Sequence, residues 1–320
     1  MNSLFTAGFL SMLQALLRIF IIIVFAGFLV KKHIIDKKQI DALSRLTVVV
    51  LLPSLVFSHT LKYFDPQQLS YWWLLPLLGI SMSFLGLLLA SMVFLPHPFK
   101  QKNLLAVAAM QNAGYLVLPI GKMLYPDNFT AFSLLTFLFI LGYNPILWTI
   151  GKYLVTSTKT QDTSFDFKKI ITPPAVANIL SLLLVLLNWQ HIFPDILVDS
   201  VDFLGQAAIP VATFVLGATL GSISFTKLPS LVEIIKVLSV KYLLLPVVVL
   251  YALWLFNIGK TYPLLSDFLI IQSAAAPATG LILQVRTYGG DQQKVGETML
   301  IAYIFCLLAL PFWIALWHSI

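Results

Sequence analysis

The sequence predicts an all-α integral membrane protein of ten transmembrane helices, built as two inverted five-helix repeats. Three observations carry this expectation: ten apolar runs of spanning length, a marked poverty of charge, and prolines that recur at a nearly constant offset between the two halves. A spanning helix needs about 20 mostly apolar residues. Such runs fall at roughly 9–30, 42–61, 70–95, 103–124, 129–155, 172–188, 196–221, 231–256, 264–286 and 295–318. Of the 320 residues 59% are hydrophobic and only 10% charged, and the mean hydropathy is +0.92. A soluble fold carries about 25% charged residues. With fewer it would expose large apolar patches to water, whereas a bilayer solvates them.

The loops set the expected orientation. The formal net charge is +7, but the basic residues lie in short loops between apolar runs, not on one face, which argues against a nucleic-acid partner. Of the 20 Lys and Arg residues, all but Lys62, Lys122, Lys260 and Arg18 fall in or beside odd-numbered loops. The positive-inside rule makes those loops cytoplasmic and places both termini outside a multi-pass cell membrane. No Lys or Arg precedes Arg18, so the positive start of a cleavable signal peptide is missing. The longest polar stretch, TSTKTQDTSFDFKKI, is expected as a cytoplasmic linker over 157–170, between a first repeat at 1–156 and a second at 171–320.

The halves correspond through their prolines. Pro53 in predicted helix 2 maps 157 residues on to Pro210 in helix 7, and Pro119 in helix 4 maps 158 residues on to Pro277 in helix 9. Five helices is an odd number, so the second half inserts upside down relative to the first, an arrangement that recurs in secondary transporters.

Helices 4 and 9 are the informative pair. They read MQNAGYLVLP over 110–119 and IQSAAAPATG over 271–280. Proline removes a backbone donor and clashes with the preceding turn. Lipid cannot satisfy the freed groups, so such breaks survive only where protein or a water-filled cavity covers them. Broken helices in corresponding positions of two repeats point to a binding site. Each break presents a fresh helix N-terminus with positive dipole charge near the midplane, which suits an anion such as a carboxylate. The substrate-binding set is therefore expected to be Asn112, Ala113, Gly114, Tyr115 and Pro119 with Ala276, Pro277, Ala278 and Thr279. Gln111, Ser273, Pro53 and Pro210 are expected to support the crossing. Asn144 and Asn178 read as structural polar groups. His59, Lys62, Lys122, Asp267, Glu233, Lys236 and Lys241 read as solvated helix ends. The GATLG pattern at Gly217 and Gly221 would let helix 7 pack closely on a neighbour.

Motifs for hydrolysis, metal binding or ATP use are absent: no HExxH, no GxSxG, no P-loop, and Cys306 is the single cysteine. No enzyme activity and no cofactor are expected. A coupling ion, H+ or Na+, is left open, as is movement down the membrane potential. A cation antiporter or symporter would need an acid near the crossing, and none is visible. A receptor or sensor would normally add a soluble signalling domain.

An ordered set of stretches resembles the auxin efflux carrier family: GFLVKKHIIDKKQIDALSRLTVVVLLPSLVF, QNAGYLVLPIG, LGQAAIPVATFVLGATLG, and APATG followed by YGGD and LALPFW. The resemblance covers essentially the whole chain. It implies a fold similar to sodium–proton antiporters and bile-acid transporters. Helices 1, 2, 6 and 7 would form a scaffold domain, and helices 3–5 and 8–10 a transport domain moving as an elevator. It implies organic anion substrates, auxin in plants and malate or malonate in some bacteria, with Asn112 at the family's helix-4 asparagine and Pro119 and Pro277 at its crossover prolines. Homodimers through the scaffold occur in proteins of this shape. Two departures stand out. The long loop of the plant carriers shrinks to about 156–170, and Gln111 replaces the glycine that often precedes the asparagine.

Overall fold

Apolar runs interrupted only by short loops leave the backbone one way to satisfy itself in lipid, by folding each run into a helix. The computed structural model describes residues 2–156, 172–223 and 229–320, and its regular elements among these are all helices, with no strand. The elements are α1 (Asn2–Lys31), α2 (Lys37–Tyr63), α3 (Leu74–Val93), α4a (Lys102–Ala109), α4b (Val117–Leu124), α5 (Phe129–Val155), α6 (Pro173–Leu186), α7 (Asp195–Gly221), α8 (Leu231–Leu255), α9a (Pro263–Ser273), α9b (Thr279–Tyr288) and α10 (Gln292–Ser319). Seven of them, α1, α2, α3, α5, α7, α8 and α10, are long and apolar enough to cross a membrane. The linker expected at 157–170 lies outside the described residues.

Local chemistry starts and bends these helices. Asp36 and Gln39 form a reciprocal capping box at the start of α2, with bonds of 2.8 and 2.9 Å. Asp291 accepts from the Lys294 N–H at 2.9 Å to open α10. A proline inside a helix leaves one carbonyl unpaired and pushes the turn before it open. Accordingly, wide π-type turns at Thr47–Leu51 and Val240–Leu244 lie just ahead of Pro53 and Pro246, and a third at Leu147–Gly151 follows Pro145. In α7 the helix is interrupted at Ala207, three residues before Pro210.

Lipid tails are as apolar as leucine, so helices associate through close packing of small residues and through interhelical hydrogen bonds. The GATLG pattern finds its neighbour within the chain. Gly217 and Gly221 lie against Ile23 and Gly27 of α1, so closely that a β-carbon on either would stand under 3 Å from α1 backbone atoms. Gly79 of α3 and Gly142 of α5 approach each other's helix backbone in the same way. Large apolar side chains such as Ile21, Val24 and Phe203 are exposed on the outer surface, as a lipid-facing wall requires.

Gly221→Ala forces α7 away from α1. It is expected to lower stability by about 1–3 kcal/mol, the usual cost of inserting a methyl where the core has no room. Thermal unfolding of the purified protein in detergent checks this; an unchanged midpoint would mean that the two helices can separate freely.

Candidate functional site

The site begins with two prolines. Pro277 would clash with the carbonyl of residue 273, and α9a ends at Ser273. Pro119 takes the third position of α4b, where a helix has no use for an N–H, and the same clash stops α4b from extending back through Tyr115. Between the pieces the chain is irregular over 110–116 and 274–278.

These two irregular stretches lie side by side and antiparallel, with Gln111 opposite Pro277. The Asn112 N–H donates to the Ala276 carbonyl at 2.7 Å, and the Ala278 N–H to the Met110 carbonyl at 3.1 Å. Side chains from α5, α8 and α10, and one from α9a itself, take up the carbonyls that the breaks release. Tyr143 O–H donates to the Gln111 carbonyl, Gln272 to that of Ala113 at 3.2 Å, Tyr303 to that of Pro277 at 3.0 Å, and Lys241 Nζ to that of Met110 at 3.0 Å. The crossing is thus buried and braced.

Asn112 is fully engaged in this bracing. Its Nδ2 donates to Tyr303 Oη at 2.6 Å and to Thr279 Oγ1 at 3.4 Å, and its Oδ1 accepts from the Leu116 N–H at 3.2 Å. It ties both breaks to α10. Neither half-helix has a side-chain cap: the residues before α4b and α9b are Leu116 and Ala278. In α4b the Leu118 and Ile120 N–H groups already pair with the Gly114 and Leu116 carbonyls and Pro119 has none, and in α9b Leu281 pairs with Ala278; Val117, Thr279 and Gly280 are the first-turn N–H groups without a partner among the described residues.

Beside the crossing lies a cavity of about 230 Å³, walled by α2, α5, α6, α7 and α9b. Of the expected binding residues, Asn112, Ala113, Gly114, Tyr115, Pro119, Ala278 and Thr279 line it, and so does Gln111. Ala276 and Pro277 do not: they are taken up in the backbone pairing. Ser273 turns back onto the Ile270 carbonyl at 2.8 Å. Pro53 and Pro210 stand outside the lining, but their bends present Leu52, Val56, Ile209 and Ala212 to it. The wall is overwhelmingly apolar and carries no charged side chain. Asn144 and Asn178, read from sequence as structural, also face this space. Asn178 does brace, donating to the Phe137 carbonyl at 2.7 Å, but its Oδ1 has no partner among the described residues.

Three residues expected as solvated helix ends are buried. Lys241 is 0% exposed and has no acid within ion-pair distance among the described residues. Its position held the signal: ten residues into α8 is about 15 Å along the axis, half the thickness of the hydrocarbon core. The wide turn before Pro246 also carries it inward. His59 lies between Asp202 of α7, at 3.7 Å, and Ser133 of α5, at 2.9 Å, among the rings of Tyr63, Phe129 and Phe137. Asp267 accepts from Tyr125 at 2.7 Å and pairs with His318 at 2.9 Å. No group of three or more metal-ligating side chains occurs among the described residues.

A family profile described as "Membrane transport protein" matches residues 11–314. The plant protein PIN-LIKES 7 of Arabidopsis thaliana is 22% identical, aligned over 98% of this chain and 99% of its own length. An uncharacterized transporter of the archaeon Methanocaldococcus jannaschii is also 22% identical, over 92% of this chain and 96% of its own. PIN-LIKES 3 of Arabidopsis thaliana is 28% identical over a shorter stretch, 37% of this chain and 31% of its own. With its paired helix breaks, its apolar walls and a match running almost from end to end, this chain belongs to the membrane transport protein family, that of the auxin efflux carriers.

Proposed function

We propose that the protein is a secondary carrier of organic monocarboxylates with an apolar body. The carrying observation is the cavity itself: an uncharged apolar chamber set against two broken helices whose second halves start without side-chain caps. A carboxylate at that point accepts from first-turn N–H groups and meets the positive ends of two helix dipoles. The rest of the molecule lies against apolar wall. A second carboxylate, as in malate or malonate, would sit in the same wall with no cationic partner, and such burial is costly. Monocarboxylates are therefore preferred, and auxin-like acids fit better than dicarboxylates.

The cation reading is disfavoured on two grounds. No acidic side chain lines the cavity. Five carbonyls at the crossing, those of Met110, Gln111, Ala113, Ala276 and Pro277, already accept from Asn112, Ala278, Tyr143, Gln272, Tyr303 and Lys241. Lys241 occupies, as a tethered amine, a place that a free cation would need.

In the proposed mechanism each broken pair counts as one span, which makes ten spans in two inverted repeats, with both termini outside. Helices α3–α5 and α8–α10 form the moving unit that carries the crossing, and α1, α2, α6 and α7 form the scaffold. The cavity lies where the two units meet, since α2, α6 and α7 supply one wall and the breaks, α5 and α9b the other. Movement of the crossing past that wall exposes the same site to each side in turn. Membership of the auxin efflux carrier family supports auxin-like substrates. Pairing through the scaffold remains available, although GATLG itself is occupied by α1.

Thermal stability of the purified protein against a panel of carboxylates, amino acids and salts tests the reading. A ligand that binds only the folded state stabilises by about 2.7 kcal/mol at a hundredfold excess over Kd. Stabilisation is expected from apolar monocarboxylates. Stabilisation by sodium alone, or by dicarboxylates alone, overturns the proposal.

Asn112→Ala removes the brace between both breaks and Tyr303. It is expected to lower stability by about 1–3 kcal/mol, the cost of leaving buried partners unpaired, and to abolish the ligand shift. Lys241→Met replaces a buried amine by an apolar chain of similar length. Melting should stay within a few degrees, because replacing a buried charge by packed apolar atoms is often neutral. Monocarboxylate affinity, read by calorimetry, should stay within about twofold, because Lys241 is bonded to the Met110 carbonyl and does not line the cavity.

A further inference from the structure

Gln111 is the one side chain at the crossing whose whole polar group is unused. It is 0% exposed and lines the cavity, yet neither Nε2 nor Oε1 has a hydrogen-bond partner among the described residues. Its carbonyl accepts from Tyr143, and its neighbours Met110 and Asn112 are paired to Ala278 and Ala276, so its backbone is fixed beside the cavity. Buried polar groups are almost always paired. An amide left unpaired in a cavity wall is matched by what the cavity holds.

That match constrains the ligand. A carboxylate has acceptors only. It satisfies Gln111 Nε2 but leaves Gln111 Oε1 bare, and with it Asn178 Oδ1, the second unpartnered acceptor on the same cavity. Exchanging the amide N and O of Gln111 does not help, because one donor and one acceptor remain either way. Asn178 cannot be exchanged without losing its bond to the Phe137 carbonyl. A ligand with an O–H or N–H of its own pairs these acceptors directly, where one without leaves them to ordered water.

We infer that Gln111 is the specificity-determining residue of this site, and that it selects carboxylates bearing a hydroxyl or N–H donor beside the carboxyl group, such as 2-hydroxy acids with an apolar body. This rests on the monocarboxylate reading above. A primary amide offers its donor and acceptor side by side, and a 2-hydroxycarboxylate presents the complementary pair. A site with an acceptor to satisfy rejects the analogue that lacks the donor, because its own buried oxygen is then stranded.

Two probes that differ by one hydroxyl test this: 3-phenyllactate and 3-phenylpropanoate, titrated by calorimetry into the purified full-length protein and into Gln111→Met. The wild type should bind phenyllactate roughly tenfold more tightly, as one hydrogen bond would give. In Gln111→Met the two acids should bind within about twofold of each other. The ligand-free variant should melt no lower than the wild type, since no protein contact is lost; Gln111→Leu repeats the test if that variant cannot be purified. Equal binding of both acids to the wild type, or a preference that survives in Gln111→Met, overturns the inference and leaves the carrier reading standing. Loss of both acids in a stably folded Gln111→Met also overturns it, because Gln111 would then anchor the carboxylate. Binding of neither acid to the wild type removes the monocarboxylate reading together with the inference.

Discussion

Two backbone hydrogen bonds, from Asn112 to Ala276 and from Ala278 to Met110, are the constraint on which the rest of the site depends. A helix broken in lipid has orphan donors and acceptors at the depth where they are most expensive. One broken helix has no remedy of its own. Two breaks laid antiparallel repair each other, as two strands do, and the repair fixes their separation and register. Everything nearby follows from that register: Pro277 stands opposite Gln111, Tyr303 reaches both Asn112 and Pro277, and Lys241 reaches Met110. Gln111, whose amide stays unpaired, then lines the cavity beside the crossing.

The bracing also shows why the site has little positional slack. Asn112 contacts α4b, α9b and α10 through three hydrogen bonds. Tyr242, one residue after Lys241, donates to the Ala302 carbonyl at 2.6 Å, and Trp313 donates back to the Tyr242 carbonyl at 2.8 Å. Hydrogen bonds of this kind polarise one another in a low-dielectric interior, and partial loss is costlier than their number suggests. A rigid crossing is what a binding site needs if its affinity is to survive transfer from one side of a membrane to the other.

The breaks are legible in the sequence because proline and glycine act on their own backbone, and hydropathy marks the seven helices long and apolar enough to span because lipid contact is also a property of each residue separately. What lay beyond reach was relational. Nothing in MQNAG distinguishes Asn112, whose amide is consumed by Tyr303, from Gln111, whose amide is free; that depends on a tyrosine far along the chain. His59 and Asp267 look like helix-end charges until the helices that bury them are known. Lys241 was nearer to legible. Its depth could be counted from the start of α8, but a run with two lysines near one end reads as an interface, and only the wide turn before Pro246 carries this one to the crossing. GATLG announced a close neighbour without saying which, since Gly27 sits in a run with no comparable pattern.

The proposed division into scaffold and moving unit has a physical counterpart in where directional contacts fall. Within the scaffold, Lys62 of α2 pairs with Asp199 of α7 at 2.6 Å, Ser58 donates to Asp202 at 2.9 Å, and glycines bring α1 and α7 into backbone contact. Within the other group, Lys294 of α10 pairs with Glu233 of α8 at 2.6 Å, and α3 and α5 interlock at Gly79 and Gly142. Between the groups the contacts are largely apolar, with polar links at His59 to Ser133, Asn178 to the Phe137 carbonyl, and Arg286 to Ser222 at 2.6 Å. Apolar surfaces attract without fixing a register, whereas hydrogen bonds to specific backbone atoms fix one. A boundary dominated by the first kind, pinned at a few points by the second, is the kind of surface along which one unit can slide past another between discrete stops. Two of those pins, His59–Ser133 and Asn178–Phe137, hold α5, and α5 also walls the cavity. A ligand that satisfies Asn178 Oδ1 would therefore act on the same side chain that joins α6 to α5 across the proposed boundary.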